Sequence, residues 1–195
     1  MSGDAALFFG LWLQKPLQIA AITPSSTRLA TVMAQLVDLA RPGPVLELGA
    51  GTGSLTRGLL QRGCPPQRIV ALECEARLTE TLRREFPGIS TITGDATRLA
   101  DHLADHGIDR LCAVVSSLPI KWFPAAAQRA VVQPCLSRLG PNGKFLQMTN
   151  AFASPIAMGS LGIAGSPVAY VWRNLPPAQV WAYSVASGDR VPEPQ

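Results

Sequence analysis

The 195-residue chain reads as a single α/β domain on a mostly parallel seven-stranded sheet, with an antiparallel hairpin at its C-terminal end. Three observations predict it. From Pro44 to Thr149 short apolar runs alternate with helix-like segments, as parallel sheets require. A glycine-rich loop, Gly49-Ala50-Gly51-Thr52-Gly53, joins the first apolar run to its helix. After Asn150 two aromatic strands flank Pro176-Pro177, a hairpin suited to covering a sheet edge.

Val45–Glu47 is the first strand. Ser54 caps a helix carrying Leu55, Leu59 and Leu60, which Gly63 ends. Arg68–Leu72 is the second strand, followed by a helix with Leu78, Leu82 and Phe86 at i, i+4, i+8. Pro87-Gly88 stops it, and Ile89–Thr93 is the third strand. A short helix spans Leu99–Ala104, and Leu111–Ser116 is the fourth strand. Pro124 opens a helix that reaches Leu139 with a kink at Pro134. Lys144–Thr149 is the fifth strand. Residues 151–166 are small and flexible in composition. Val168–Asn174 and Gln179–Ala186 form the hairpin, and Val191–Gln195 is a frayed tail.

Composition bounds the function classes. Seventeen Lys and Arg against 13 Asp and Glu give a net charge of +4, and charged residues are only 15 % of the chain. With 47 % hydrophobic residues this is a globular chain, long enough to bury about 70 % of its unfolded surface. Cys64, Cys74, Cys112 and Cys135 are scattered, which argues against a zinc site or a secreted disulfide framework and fits a reducing cytosol. His102 and His106, spaced i, i+4, read as polar residues on an exposed helix face rather than as metal ligands. No run approaches the ~20 apolar residues of a membrane span. Ala5–Leu13 is the most apolar segment, but Asp4 rather than a basic residue precedes it, unlike a signal peptide.

The loop after the first strand carries the chemistry. Glycines at alternating positions let the backbone turn sharply and let a ligand lie against it, while the following helix start favours a carboxylate or phosphate. Gly53 comes one residue too early for a dinucleotide fingerprint, and the Walker lysine is absent. Acids follow the second and third strands, Glu73 and Asp95, where ligands bind in open α/β sheets.

Glu47-Leu48-Gly49-Ala50-Gly51-Thr52-Gly53, with Glu73 and Asp95, resembles the cofactor loop of Rossmann-like class I S-adenosylmethionine-dependent methyltransferases. The resemblance implies S-adenosyl-L-methionine as cofactor, Glu73 and Cys74 near its ribose, and Gly94, Asp95 and Ala96 near its adenine. Glu47, Gly49, Ala50, Gly51 and Gly53 form the loop beside it. Glu47 and Glu73 surround a cationic ligand with negative charge, and the helix start takes its carboxylate.

Ser116-Ser117-Leu118-Pro119-Ile120 stands where similar adenine dimethylases carry Asn-Leu-Pro-Tyr. Ser116 and Ile120 replace the amide and the aromatic, so no nucleic-acid partner is expected. Phe8-Phe9-Gly10-Leu11-Trp12, Ala21-Ile22-Thr23-Pro24-Ser25-Ser26 and Leu175-Pro176-Pro177-Ala178 resemble the small bacterial phospholipid N-methyltransferases. This implies methylation of phosphatidylethanolamine toward phosphatidylcholine. Ornithine-lipid methylation and nucleic-acid methylation are the alternatives, with a non-catalytic membrane-binding module the last of them. By the same resemblance Ser25 or Ser26 approaches the cofactor carboxylate; either also serves as a helix cap. Ser116 and Ser117 complete the cofactor set. Aromatic faces suit amines that end permanently cationic, and Tyr183 and Ser116, with Trp172, are the expected substrate-amine residues. Residues 1–23 are expected to form an amphipathic membrane-binding or lid helix, and residues 24–195 the catalytic domain. The partners are then a phospholipid and an anionic membrane surface, at the inner face of the cytoplasmic membrane.

Overall fold

In a computed structural model, which describes residues 24–140, 142–172 and 176–185, the chain runs as follows. First come α1 (Pro24–Gln35), β1 (Val45–Leu48), α2 (Ser54–Gln61), β2 (Ile69–Glu73), α3 (Ala76–Glu85) and β3 (Ser90–Thr93). Then follow α4 (Leu99–Asp105), β4 (Ala113–Ser116), α5 (Ala125–Leu136), β5 (Phe145–Thr149), α6 (Met158–Leu161), β6 (Ile163–Val171) and β7 (Ala178–Val185). The expected N-terminal helix with Ala5–Leu13, the hairpin turn at 173–175, the tail, and the side chains of Ser25 and Ser26 lie outside the described residues.

The strands form one sheet in the order β3-β2-β1-β4-β5-β7-β6. The first five are parallel and the last two antiparallel, so the hairpin covers the β5 edge, as its sequence suggests. Strands β1, β2 and β4 are buried along their whole length, which is why they read as continuous apolar runs rather than as alternation. One face packs Leu46, Leu72, Val114 and Phe145 against α4 and α5 through Leu99, Leu103, Val131 and Val132. The other packs Val45, Ile69, Val115 and Leu146 against α1 and α2 through Leu29, Met33, Leu55 and Leu59. The order in which successive strands are added reverses between β1 and β4, the switch point where the strand ends splay and ligands fit.

Arg68 locks the entry to β1 onto β2. Its guanidinium donates to the carbonyls of Leu39, Arg41 and Gly43, sealing backbone acceptors that precede the strand. At the opposite end, two amides tie the loops together. Gln128 donates to the carbonyls of Ile120 and Phe123 and accepts from the Ala157 N–H. Asn150 donates to the carbonyls of Pro176 and Pro177.

Four details depart from the sequence reading. Ser54 is the first residue of α2 and not its cap, which is the left-handed Gly53. Strand β4 begins at Ala113, with Leu111 making only an isolated bridge to Leu139. Helix α5 ends at Leu136 and runs through Pro134. Strand β6 begins at Ile163, inside the small-residue stretch expected to be irregular. Tyr183 explains the last difference: a Cβ at Gly165 would sit 2.3 Å from its ring, so the strand needs a glycine there for the ring to lie flat.

Candidate functional site

Three parallel strands deliver the site at their carboxyl ends. Beyond the β1–β2 ladder, the N–H groups of Gly49 and Ala50 both donate to the Leu72 carbonyl, which starts the glycine loop. Gly49, Gly51 and Gly53 all take positive φ, at 73°, 56° and 79°. That is the left-handed region, where a side chain is disfavoured. The two later glycines differ in what surrounds them. A Cβ on Gly53 would fall 2.3 Å from the Phe86 ring, so Gly53 serves packing against α3. A Cβ on Gly51 would meet nothing closer than the Gly49 carbonyl at 3.9 Å, so the loop is open there.

A loop with so few side chains is held from outside. Glu73, at the end of β2, accepts from the Gly51 N–H at 2.8 Å through Oε2 and from the Glu75 N–H at 3.0 Å through Oε1. Cys74 also donates to Oε1. Burial, then the Glu73 carboxylate, pushes the Cys74 thiol up to about 12, so it stays a donor at neutral pH. From the β4 side, the Ser117 hydroxyl donates to the Gly49 carbonyl and its N–H to the Leu48 carbonyl.

Glu47 faces the other way from its expected role. It is fully buried, and Thr56 donates to it twice, through its N–H at 3.2 Å and its hydroxyl at 2.6 Å. Thr56 is the third residue of α2, so Glu47 satisfies an N–H that Gly53, lacking a side chain, leaves open. Burial raises the Glu47 carboxyl to about 7, against the lowering effect of the Thr56 bonds. It positions the helix and presents no surface to a ligand.

On the far side, the Gly94 N–H continues the pairing by donating to the Glu73 carbonyl. Half-buried Asp95 accepts from the Thr97 N–H at 2.8 Å and starts the turn that buries Ala96. The His102 imidazole packs on this corner: a Cβ at Gly94 would lie 2.3 Å from Nε2. His102 is therefore half-buried rather than on an exposed face, with a buried Nε2 that lacks a hydrogen-bond partner among the described residues. His106 is exposed.

The structure does not bring the expected amine-binding residues together. Ser116 is fully buried, its hydroxyl accepting from the Leu118 N–H. Tyr183 is 1 % exposed, stacks on Trp181 and bonds the Ser154 hydroxyl at 2.8 Å. Burial raises the Tyr183 phenol to about 12, so it stays protonated at neutral pH. It pairs with Phe145, two residues back from the row that aligns Ser116, Gln147 and Trp181 across the sheet. Trp172 is 69 % exposed and stacks on Tyr170. Ile120, where the base-stacking aromatic of similar enzymes stands, is buried in the core.

Sequence reasoning missed Gln147. It is fully buried on β5 and donates to the Leu118 carbonyl at 2.9 Å and the Met148 carbonyl at 2.7 Å. Its Oε1 is buried without a donor among the described residues. A glutamine inside an otherwise apolar strand was the available signal, because buried amides are rare unless their groups are used.

Comparison with known proteins adds four findings. A family model described as a methyltransferase domain matches residues 45–143. The ornithine lipid N-methyltransferase of Singulisphaera acidiphila is 32 % identical over 149 residues, covering 75 % of this chain and 78 % of that protein. A ribosomal RNA small subunit methyltransferase A of Synechococcus is 39 % identical over 94 residues, covering 45 % of this chain and 29 % of that protein. Among solved structures, the Bacillus cereus O-methyltransferase in complex with SAH superposes with a TM-score of 0.63 at 14 % identity, over 89 % of this chain and 90 % of that one, a likeness of fold.

The two loop glycines give opposite expectations. Gly51→Ala should weaken S-adenosylhomocysteine binding at least tenfold in calorimetry, with a stability loss of about 1–2 kcal/mol from left-handed strain. Gly53→Ala should lower the melting temperature more, since its Cβ meets Phe86. A Gly51→Ala protein that binds like wild type removes the loop from the site.

Glu47 sets a pH dependence. Burial holds its carboxyl at about 7 in the folded chain against an ordinary carboxylate value of 4.5, so between these the native state holds a proton that the unfolded chain has lost. Its contribution is full below about 4.5 and is lost as pH rises toward 7, on the order of 3 kcal/mol. Urea unfolding at pH 5 and pH 7.5 should show this decline in wild type and not in Glu47→Gln. Equal declines in both would assign the titration elsewhere.

Proposed function

The chain belongs to the class I S-adenosylmethionine-dependent methyltransferase superfamily, and from that premise we propose that it N-methylates the amino group of a membrane lipid. Ornithine lipid is the first candidate and phosphatidylethanolamine the second. The observation that carries this reading is the reach of the likeness to the ornithine lipid N-methyltransferase. At 149 aligned residues it extends well beyond the 99 residues of the methyltransferase domain match. The match to the ribosomal RNA enzyme is confined to less than half of this chain. Substrate identity in this fold is carried by what is built around the shared cofactor half.

The residues present fit S-adenosylmethionine. Its methionine and nucleoside need a backbone cradle and hydroxyl and amino partners, with no phosphates to neutralise. The open face at Gly51, the absence of a loop lysine and the strand-end carboxylates match that demand. In this reading Gly49, Gly51 and the start of α2 hold the methionine end, with Ser25 or Ser26 near its carboxylate. Glu73 and Cys74 hold the ribose, and Asp95 and Ala96 the adenine. When bound, the cofactor supplies an electrophilic methyl group on a positively charged sulfur.

The chain's own contribution is then alignment more than acid–base chemistry. Gln147, fully buried, fixes the loop after β4 through its Nε2 and so acts as a positioning residue. In this reading the substrate amine reacts in its neutral form and its proton leaves to water. Tyr183, held protonated, and Glu47, sealed on Thr56, are not placed to act as the base. A lipid substrate places the enzyme at a membrane surface, and residues 1–23 remain a candidate anchor.

Incubating the protein with labelled S-adenosylmethionine and a bacterial lipid extract, followed by thin-layer separation, tests the reading. Label should enter a lipid that comigrates with methylated ornithine lipid, or with methylated phosphatidylethanolamine if the second candidate holds. Label entering added ribosomal RNA while the lipids stay unlabelled would contradict it.

A further inference from the structure

We propose that the loops around the mouth of the site form a preassembled docking face for an anionic lipid bilayer. The inference rests on the amino-lipid reading and deepens it by naming the surface that meets the membrane. Four aromatic side chains stand out from the carboxyl-end side of the sheet. Trp122 follows β4 and is 42 % exposed, and Phe152 follows β5 and is 81 % exposed. Tyr170 and Trp172 lie at the end of β6, 51 % and 69 % exposed, with their rings stacked at 5.9 Å. Tyr170 pairs with Gln179, which pairs with Thr149, the last residue of β5, so the hairpin aromatics share the end of the sheet that carries the cofactor loop.

Single exposed apolar side chains are ordinary, whereas a cluster at one end of a sheet marks an interaction surface. Their loops are also fixed in place. Gln128 links the turn bearing Trp122 to the segment that follows Phe152. Asn150 links the exit of β5 to the hairpin turn at Pro176 and Pro177. The rim is therefore held before anything docks, which lowers the ordering cost of binding.

Charge selects the occupant. Between residues 110 and 188 the sequence has six Lys or Arg and no Asp or Glu, although the whole chain has 13 acids. The sequence span that carries the aromatic rim therefore adds no negative charge of its own, which suits anionic head groups. Trp and Tyr are the side chains that favour the boundary between water and hydrocarbon. A single-stranded nucleic acid asks instead for a basic groove along its backbone. Lys121 lies beside the rim, with its Nζ 5.5 Å over the Trp122 ring, and Arg129 donates to the Ser160 carbonyl. Lys144 precedes β5 at the opposite end of the sheet, and Arg138 is turned to the carbonyls of Ile108 and Pro134.

Flotation with phosphatidylglycerol vesicles, which contain no amine to methylate, separates docking from catalysis. The full chain should float with them, and less so as salt is raised. The double variant Phe152→Ser, Tyr170→Ser should partition at least tenfold less while binding S-adenosylhomocysteine as wild type does, which excludes a folding defect. A double variant that floats like wild type overturns the proposal. So does one that loses binding to single-stranded RNA while its flotation is unchanged. If wild type floats and the variant does not, yet no amino lipid accepts label from wild type, the docking face stands and the proposed substrate falls.

Discussion

A 2.8 Å hydrogen bond from the Gly51 N–H to the Glu73 carboxylate is the contact on which the site depends. The loop between β1 and α2 must keep its backbone bare to admit a ligand, so it has almost no side chains with which to hold its own shape. Three of its five residues take positive φ, and that conformation needs a tether from outside. Glu73 supplies it from β2, the Ser117 hydroxyl from β4, and the Leu72 carbonyl by extending the strand ladder one step. Glu47 does the parallel task for the helix that follows. Two acids that attract attention as ligand groups are first of all the scaffold of the loop.

The two ends of the sheet divide the labour. Strands β1 to β3 carry the glycines and carboxylates that suit S-adenosylmethionine. Strands β5 to β7 carry aromatic rings and amides and no charged side chain. Strand β4 joins them: Ser117 reaches the glycine loop, while Leu118 receives the Gln147 amide. Gln147 therefore couples the position of the loop after β4 to the β5 side. The carboxylates of the cofactor half and the uncharged aromatic half thus lie side by side at one end of a single sheet.

Much of this was legible in the sequence because it is local or periodic. The glycine spacing, the acids after two apolar runs and the change to aromatic strands after Asn150 place the strands, the cofactor and the hairpin. What was not legible is long-range. Nothing around Glu47 shows that it will cap α2, because its partner Thr56 becomes a neighbour only when the loop folds back. The start of β6 was hidden by small residues whose reason is the Tyr183 ring across the hairpin. Tyr183 and Trp172 look alike by alternation, yet one is buried and the other is exposed just past the end of the edge strand, since period two gives the face and not the depth. Gln147 was passed over because it lies inside a run whose periodicity says only that it is buried. His102 was read by its helix spacing to His106, when the corner at Gly94 decides its environment.

The shape of the glycine loop rests most directly on the Glu73 tether. Amide hydrogen exchange at Gly51, measured in wild type and in Glu73→Ala, tests it, with the amides of Val70 and Leu72 in β2 as an internal standard of intact fold. The expected result is Gly51 exchange at least ten times faster in the variant, S-adenosylhomocysteine affinity lost in parallel, and protection in β2 unchanged. Gly51 equally protected in both proteins, with cofactor-product affinity intact, would mean that the loop keeps its shape without Glu73 and would contradict the account.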